Sequence, residues 1–574
     1  MKAFPALWLV MSVSLFAQNL LPEQWKFQVG DDPAWASVDY SDSDWGTVKA
    51  GELWESQGFP SYDGYAWYRV HFVVPSALKS KAEKYGGLVL RLAKIDDADE
   101  TFFNGKLIGR TGQMPPDYLG RYDALRNYSI PSELIRWDQP NVIAVRVYDH
   151  GGGGGIYGGA PALTVKGLLD LITVKPKLGP QDHILLNVKT ILVPVELSND
   201  ADENISGVLS LEVVSDFKKP VFKATQPIKL KAKSSRRTEF KLSTPQPGFY
   251  VAVLSLGSPI VTISHRFAFG VDPERIVSPT DARADFSDYW ARAKRELAAV
   301  DPQYKLTRID SLCSDKREVF LVEMRSLGNI LIRGWYARPT APGRYPAILH
   351  VQGYSTNMQP AWIYRGDDMV AFGLNIRGHG NSRDNVDPGF PGYLLHQLAD
   401  KETYIYRGAY MDCIRAVDFL VSRPEVDASR IAVEGGSQGG ALSFATAALD
   451  RDRIAACAPD VPFLSDFQDY FQVAAWPGNE FYSWVEKNPQ IGWDKVYETL
   501  SYIDIKNLAP WIKAPVRMAV GLLDETCPPH INFAAYNQVT SPKSYAVYPY
   551  SGHNLPPSNW QAKMDWIKTQ LGVK

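Results

Sequence analysis

The spacing of apolar residues divides this chain into three stretches. Between about residues 25 and 165, short runs alternate apolar and polar positions, as in Trp67-Tyr-Arg-Val-His-Phe-Val-Val, Leu88-Val-Leu-Arg-Leu and Val142-Ile-Ala-Val-Arg-Val. A period of two turns one face of a strand to a core and the other to water, so these runs predict an all-β sandwich. Asn104-Gly105 between apolar runs predicts a hairpin, because its tight turn needs positive φ at both residues. The glycine run at 151–155 predicts a loop, since glycine loses too much backbone freedom in a regular element. From about residue 171 to 269 the period-two pattern continues in Ile184-Leu-Leu-Asn-Val, Thr190-Ile-Leu-Val-Pro-Val-Glu-Leu, Gly207-Val-Leu-Ser-Leu-Glu-Val-Val and Tyr250-Val-Ala-Val-Leu-Ser-Leu. An immunoglobulin-like sandwich is the simplest reading of that stretch, which holds no catalytic constellation and reads as a spacer.

After residues 271–280, which carry two prolines, the period changes. Residues 289–299, 410–420, 441–449 and 560–571 fit helices. Ala347-Ile-Leu-His-Val, Met369-Val-Ala-Phe-Gly-Leu, Ile431-Ala-Val-Glu and Val516-Arg-Met-Ala-Val are apolar runs suited to buried parallel strands. Alternating strands and helices predict a doubly wound, mostly parallel sheet covered on both faces.

Size and charge then remove some function classes. A chain of 574 residues is too long for one core, and its formal net charge of −2 gives no reason to expect nucleic acid or an anionic membrane as partner. Lys2, the apolar run 6–16 and Ala17 read as a signal peptide cut before Gln18; the run is too short to span a bilayer, and no cysteine follows it to carry a lipid. A secreted or periplasmic protein without membrane insertion is expected. Cys313, Cys413, Cys457 and Cys527 fit no zinc motif and all lie in the last half, so disulfides are not the framework. Cys457, in an apolar run, reads as a buried small hydrophobe, and one disulfide of unknown pairing is left open. No metal and no cofactor is called for.

Gly435-Gly436-Ser437-Gln438-Gly439-Gly440 follows the strand at 431–434 and precedes a helical pattern. That setting is the nucleophile elbow of an α/β-hydrolase, where flanking glycines avoid clashes with the neighbouring strand and helix. A serine hydroxyl needs a base, and only His530 and His553 follow Ser437. His553 lies in a small loop after the strand at 544–548, where the base of this fold belongs, whereas His530 follows Pro528-Pro529 and reads as a helix start. The orienting carboxylate belongs on the loop after the strand at 516–520, where Asp524 and Glu525 both qualify by position. An oxyanion hole would combine the amide of Gln438 with one from Gln352-Gly353-Tyr354, after the third strand.

These residues resemble the acetyl xylan esterase and cephalosporin C deacetylase family, carbohydrate esterase family 7. The resemblance runs from about residue 278 to the C-terminus, through Gly353-Tyr354, Arg377-Gly378, the elbow, Val461-Pro-Phe-Leu, Leu500-Ser-Tyr-Ile-Asp, Gly521-Leu-Leu-Asp-Glu-Thr-Cys-Pro-Pro and Phe533-Ala-Ala-Tyr-Asn. It implies Ser437, Asp524 and His553 as triad, the amides of Tyr354 and Gln438 as oxyanion hole, and acetylated carbohydrate as substrate. The family's usual Arg-Gly-Gln is Arg377-Gly378-His379 here, and its His-Glu is His553-Asn554, which leaves the exact substrate and any family-type oligomer open. The first stretch resembles the jelly-roll sugar-binding domain of family 2 glycoside hydrolases, through Trp35…Trp45, Tyr65-Ala-Trp-Tyr-Arg, Ile95-Asp-Asp-Ala-Asp-Glu and Asn104-Gly-Lys-Leu-Ile-Gly. The expected organisation is a signal peptide (1–17), a jelly roll (18–170), an immunoglobulin-like sandwich (171–272) and an α/β-hydrolase domain (273–574). The expected activity is a serine esterase removing acetyl groups from carbohydrates. Its rivals are a peptidase of the prolyl oligopeptidase type, which would normally bring a propeller, and a non-catalytic carbohydrate-binding protein, which would not need an intact triad.

Overall fold

The computed structural model describes residues 19–573, apart from 61, 117, 119, 123, 151–152, 258–261, 362 and 365. The expected signal peptide and part of the glycine run lie outside the described residues.

The first stretch folds into two sheets of six and four strands. Gly64–Val73 pairs antiparallel with Pro140–Asp149 at its centre. Asn104 and Gly105 take φ of 48° and 79° between the paired strands Ala98–Phe103 and Lys106–Thr111, so the hairpin forms where the sequence places it. Of the glycine run, Gly155 opens a short strand, Gly155–Tyr157, where a Cβ would meet the Tyr68 hydroxyl at 2.1 Å. The tryptophans of this domain are core residues. Trp25, Trp54 and Trp67 are buried, and Trp35 packs edge-on against Trp45 and Trp67, with ring centroids 5.0 and 6.1 Å away.

The second stretch is a sandwich of three and five strands. Thr190–Asn199, Ile205–Ser215 and Gly248–Gly257 lie where alternation puts them. The run beginning at Ile184 does not make a full strand. Only Ile184–Leu185 pairs, because Asn187 turns to a φ of 53° and gives its N–H to Asp272.

The last stretch is an α/β-hydrolase built on one nine-stranded sheet. Its first three strands, Lys305–Arg308, Arg317–Ser326 and Ile330–Pro339, are antiparallel, an addition to the parallel sheet read from the sequence. The strands from Tyr345–Val351 to Lys543–Tyr548 pair in parallel. Helices Phe286–Ala298, Ile405–Val421 and Gln438–Leu449 cover one face in a large apolar cluster, and Pro557–Gln570 packs Met564 and Ile567 on the other. Every residue of Gln438–Leu449 is buried, so this helix is enclosed all round rather than packed by one stripe. It runs through the middle of the domain and starts at the serine.

Candidate active site

Strand Val426–Gly436 ends directly below Ser437, and helix Gln438–Leu449 starts directly after it. Between them Ser437 takes φ 59° and ψ −121°, a conformation a side chain adopts only when its surroundings force it. The surroundings here are hydrogen bonds: Ser437 N–H donates to the Asp460 carbonyl at 2.9 Å, and Phe463 N–H donates to the Ser437 carbonyl at 3.0 Å. Three of the flanking glycines are sterically obligatory. A Cβ on Gly435 would meet the Val351 carbonyl oxygen at 2.5 Å, one on Gly439 would meet it at 2.3 Å, and one on Gly440 would meet the Asp460 carbonyl oxygen at 2.7 Å. Gly436 is different, since its Cβ would find only ordinary contacts at 3.9 Å.

Strand Val516–Gly521 delivers the carboxylate. Asp524 is buried; its Oδ1 accepts the N–H groups of Thr526 and Cys527 at 2.8 Å each, and its Oδ2 lies 2.8 Å from His553 Nδ1. That arrangement fixes the ring and makes Nδ1 the protonated nitrogen, leaving Nε2 to accept. Glu525, equal to Asp524 by position in the chain, points outward and pairs with Arg266. His530 starts helix Pro529–Gln538 and lies between Asp216 and Asp469, at 2.8 and 3.2 Å.

Ser437 and His553 line one cavity of about 440 Å³. Among the described residues no hydrogen bond joins them; the serine Oγ instead sits 3.9 Å from Cys527 Sγ. Hydrogen bonds of this kind often tighten only around a bound substrate, and a turn of the serine side chain is enough to redirect its proton. Burial, with the Asp524 charge added, pushes the Cys527 thiol well up, so it stays a neutral neighbour. All four cysteines are free and Cys457 is buried.

Tyr354 lies in the loop after Tyr345–Val351, the fourth strand in chain order rather than the third. It lines the cavity, and its N–H has no hydrogen-bond partner among the described residues. Gln438 is the first residue of its helix, where an N–H has no carbonyl one turn back to bond. Its side chain is clamped: the Tyr406 hydroxyl donates to Oε1 at 2.6 Å, and Nε2 lies 3.2 Å from His379 Nε2. Burial pulls His379 down to about 3, so its ring is neutral and accepts from the amide. The departure from the family pattern at His379 therefore bears on the residue that begins the helix.

A hydroxyl on a strained turn and an imidazole on a buried carboxylate, facing one cavity, are the groups that acyl transfer to a serine needs. A family model described as acetyl xylan esterase matches residues 276–570, just over half of the chain. The chain belongs to the acetyl xylan esterase family. It is a carboxylic ester hydrolase. The chain is 27% identical over 376 residues to the acetyl esterase Axe7A of Xylanibacter ruminicola, covering 63% of this chain and 83% of that one. Among solved structures, an acetyl xylan esterase from Paenibacillus sp. R4 is 34% identical, with a TM-score of 0.49, covering 52% of this chain and 98% of that one. Acetyl xylan esterase 1 from Thermoanaerobacterium sp. JW/SL YS485 is 30% identical, with a TM-score of 0.48, covering 52% and 97%.

Two features of the esterase were not visible in the sequence. One is a buried ionic network under the elbow. Glu434, the residue before Gly435, binds His350 Nδ1 and Lys563 Nζ at 2.5 Å each, and Lys563 also reaches Asp460 at 2.8 Å. Burial alone would raise Glu434, but Lys563 and His350 outweigh it and hold the carboxyl down at about 2. A glutamate closing the apolar run at 431–433 was the available signal. The other is the cavity wall, which includes Trp476, Trp560 and, from the first sandwich, Tyr122.

Proposed function

We propose that this protein is an exported serine esterase that removes O-acetyl groups from plant-type polysaccharides or oligosaccharides through an acyl-enzyme on Ser437. The observation that carries the reading is the elbow serine sharing one cavity with a histidine held on a buried aspartate. In this reading His553 Nε2 takes the serine proton while Oγ attacks the acetyl carbonyl carbon. The developing oxyanion is met by the amides of Tyr354 and Gln438. The tetrahedral intermediate collapses, the sugar oxygen leaves with the proton from His553, and acetyl-Ser437 remains. Water, deprotonated by the same histidine, then releases acetate. The family and its relatives support acetyl as the acyl group and acetylated carbohydrate as the substrate. The apolar leader supports export to the periplasm or beyond.

The test has two arms. Release of acetate is measured from acetylated xylan, pectin, mannan and short oligosaccharides, and turnover is compared for acetyl, butyryl and octanoyl esters beside a proline-containing peptide. Acetate release with a steep fall as the acyl chain grows is expected, because a methylene that does not fit forfeits roughly 10- to 200-fold. Preference for the octanoyl ester or efficient peptide cleavage would overturn the reading. Ser437→Ala should remove activity while leaving thermal unfolding unchanged, and mass spectrometry of the quenched wild type should find an added acetyl on Ser437.

A further inference from the structure

We propose that the first sandwich completes the substrate cavity, and that Tyr122 is a specificity residue against which the sugar ring bearing the acetyl group stacks. The inference rests on the carbohydrate esterase reading and deepens it. Tyr122 lies on the loop between strands Lys106–Thr111 and Leu125–Ile130, in a different domain from Ser437, yet it lines the same cavity as Ser437 and His553.

The loop that carries it is built. Arg126 is wholly buried and ion-paired to Asp99 at 3.0 Å. Its Nη1 donates to the loop, to the carbonyls of Arg121 and Ala124 at 2.6 and 2.5 Å, and its Nη2 donates to the Asp97 carbonyl, just before strand Ala98–Phe103, at 2.9 Å. Arg121 N–H returns a bond to the Asp97 carbonyl at 3.0 Å, and the Tyr157 hydroxyl donates to the Tyr122 carbonyl at 2.9 Å. Charge-assisted bonds from a buried guanidinium are costly to leave unmade, so the turn presenting Tyr122 is held from beneath.

The rest of the cavity lining comes from the hydrolase domain, and it includes Trp476 and Trp560, 47% and 41% exposed. The tryptophans of the first sandwich do the reverse and go inside. Large rings left in water around a catalytic serine suit a ligand with apolar faces and a polar edge, which describes a sugar ring. The volume points the same way. About 440 Å³ lies within the range that holds a small-molecule ligand and leaves room beyond an acetyl group.

The experiment uses the full chain and two esters, an acetylated xylo-oligosaccharide and ethyl acetate, which has no ring to stack. Tyr122→Ala should lower kcat/KM on the oligosaccharide roughly tenfold, mainly through KM, and leave ethyl acetate within about twofold. Tyr122→Phe and Tyr122→Trp should keep most of the oligosaccharide activity. If Tyr122→Ala lowers the unfolding temperature, Tyr122→Leu, which keeps apolar bulk without a ring, decides in its place. Equal losses on both esters, or no loss on either, would overturn the inference while leaving the esterase reading intact. A wild type that cleaves ethyl acetate but no acetylated saccharide would overturn both.

Discussion

At the scale of single residues, the elbow shows which parts of its motif are chemistry and which are space. Ser437 is the only residue of the six with a nucleophilic side chain, while Gly435, Gly439 and Gly440 are excluded volume read as sequence. Gly439→Ala drives a Cβ to 2.3 Å from a backbone oxygen of the adjacent strand, where no flexible side chain can give way. Overpacking of this kind costs roughly 1–3 kcal/mol or more, and here it also displaces the serine. Gly436→Ala, by contrast, meets ordinary contacts and should stay within about 1 kcal/mol of the wild type. Thermal unfolding and esterase activity of the two variants test this; similar losses for both would show that motif position, not packing, governs these glycines. The same scale contains the choice of acid. Asp524 and Glu525 are neighbours in the chain, and what separates them is that one carboxylate is enclosed by two amides and an imidazole while the other meets an arginine at the surface.

At the scale of elements, the catalytic domain was legible where the signal is local. The strand, turn and helix around Ser437 sit within a few residues of one another, and His553 follows its own strand, so period and order were enough to place them. Ile184–Leu185 shows where periodicity fails: the alternation is present, but Asn187 adopts a left-handed turn and ends the pairing. Also illegible was the ionic pair beneath the elbow, because Glu434 and Lys563 come from a strand and a helix far apart in the chain. The consequence of that pair is testable. Lys563→Met leaves the buried Glu434 and the half-buried Asp460 without the ammonium they share, which should cost about 3–5 kcal/mol. Adding Glu434→Gln should restore part of the loss, since it removes one of the stranded charges. Denaturant unfolding of the single and double variants measures both, and a Lys563→Met protein within 1 kcal/mol of the wild type would show that the network carries little of the fold.

At the scale of the whole molecule, the second sandwich is more than the spacer its sequence suggested. Ile184, Phe249 and Ala268 from the sandwich share one apolar cluster with Met518, Val520, Leu522, Phe533 and Tyr536 of the hydrolase, and the Phe249 and Phe533 rings lie 5.3 Å apart. A chain cut near Val277 would expose that cluster, so it should aggregate rather than behave as a free-standing esterase; a monodisperse, fully active truncated protein in size-exclusion chromatography would refute the shared core. The joint also carries a titrating latch. His530 of the hydrolase lies between Asp216 of the sandwich and Asp469 of its own domain. Burial works against its charge, but the hydrogen bonds and charges of the two carboxylates outweigh burial and hold the imidazolium up to about 9. An unfolded histidine titrates near 6.5, so the native state binds the proton more tightly. The stabilisation is therefore complete below about pH 6.5 and is lost as pH rises through about 9. The size is on the order of 3 kcal/mol for a buried group with this displacement. Calorimetric unfolding of the full chain between pH 6 and 10 should show the wild type losing stability over that window relative to His530→Gln, whose amide carries no charge to lose. Parallel pH profiles for the two proteins would mean that the two carboxylates hold a neutral ring, and that the joint rests on its apolar cluster alone.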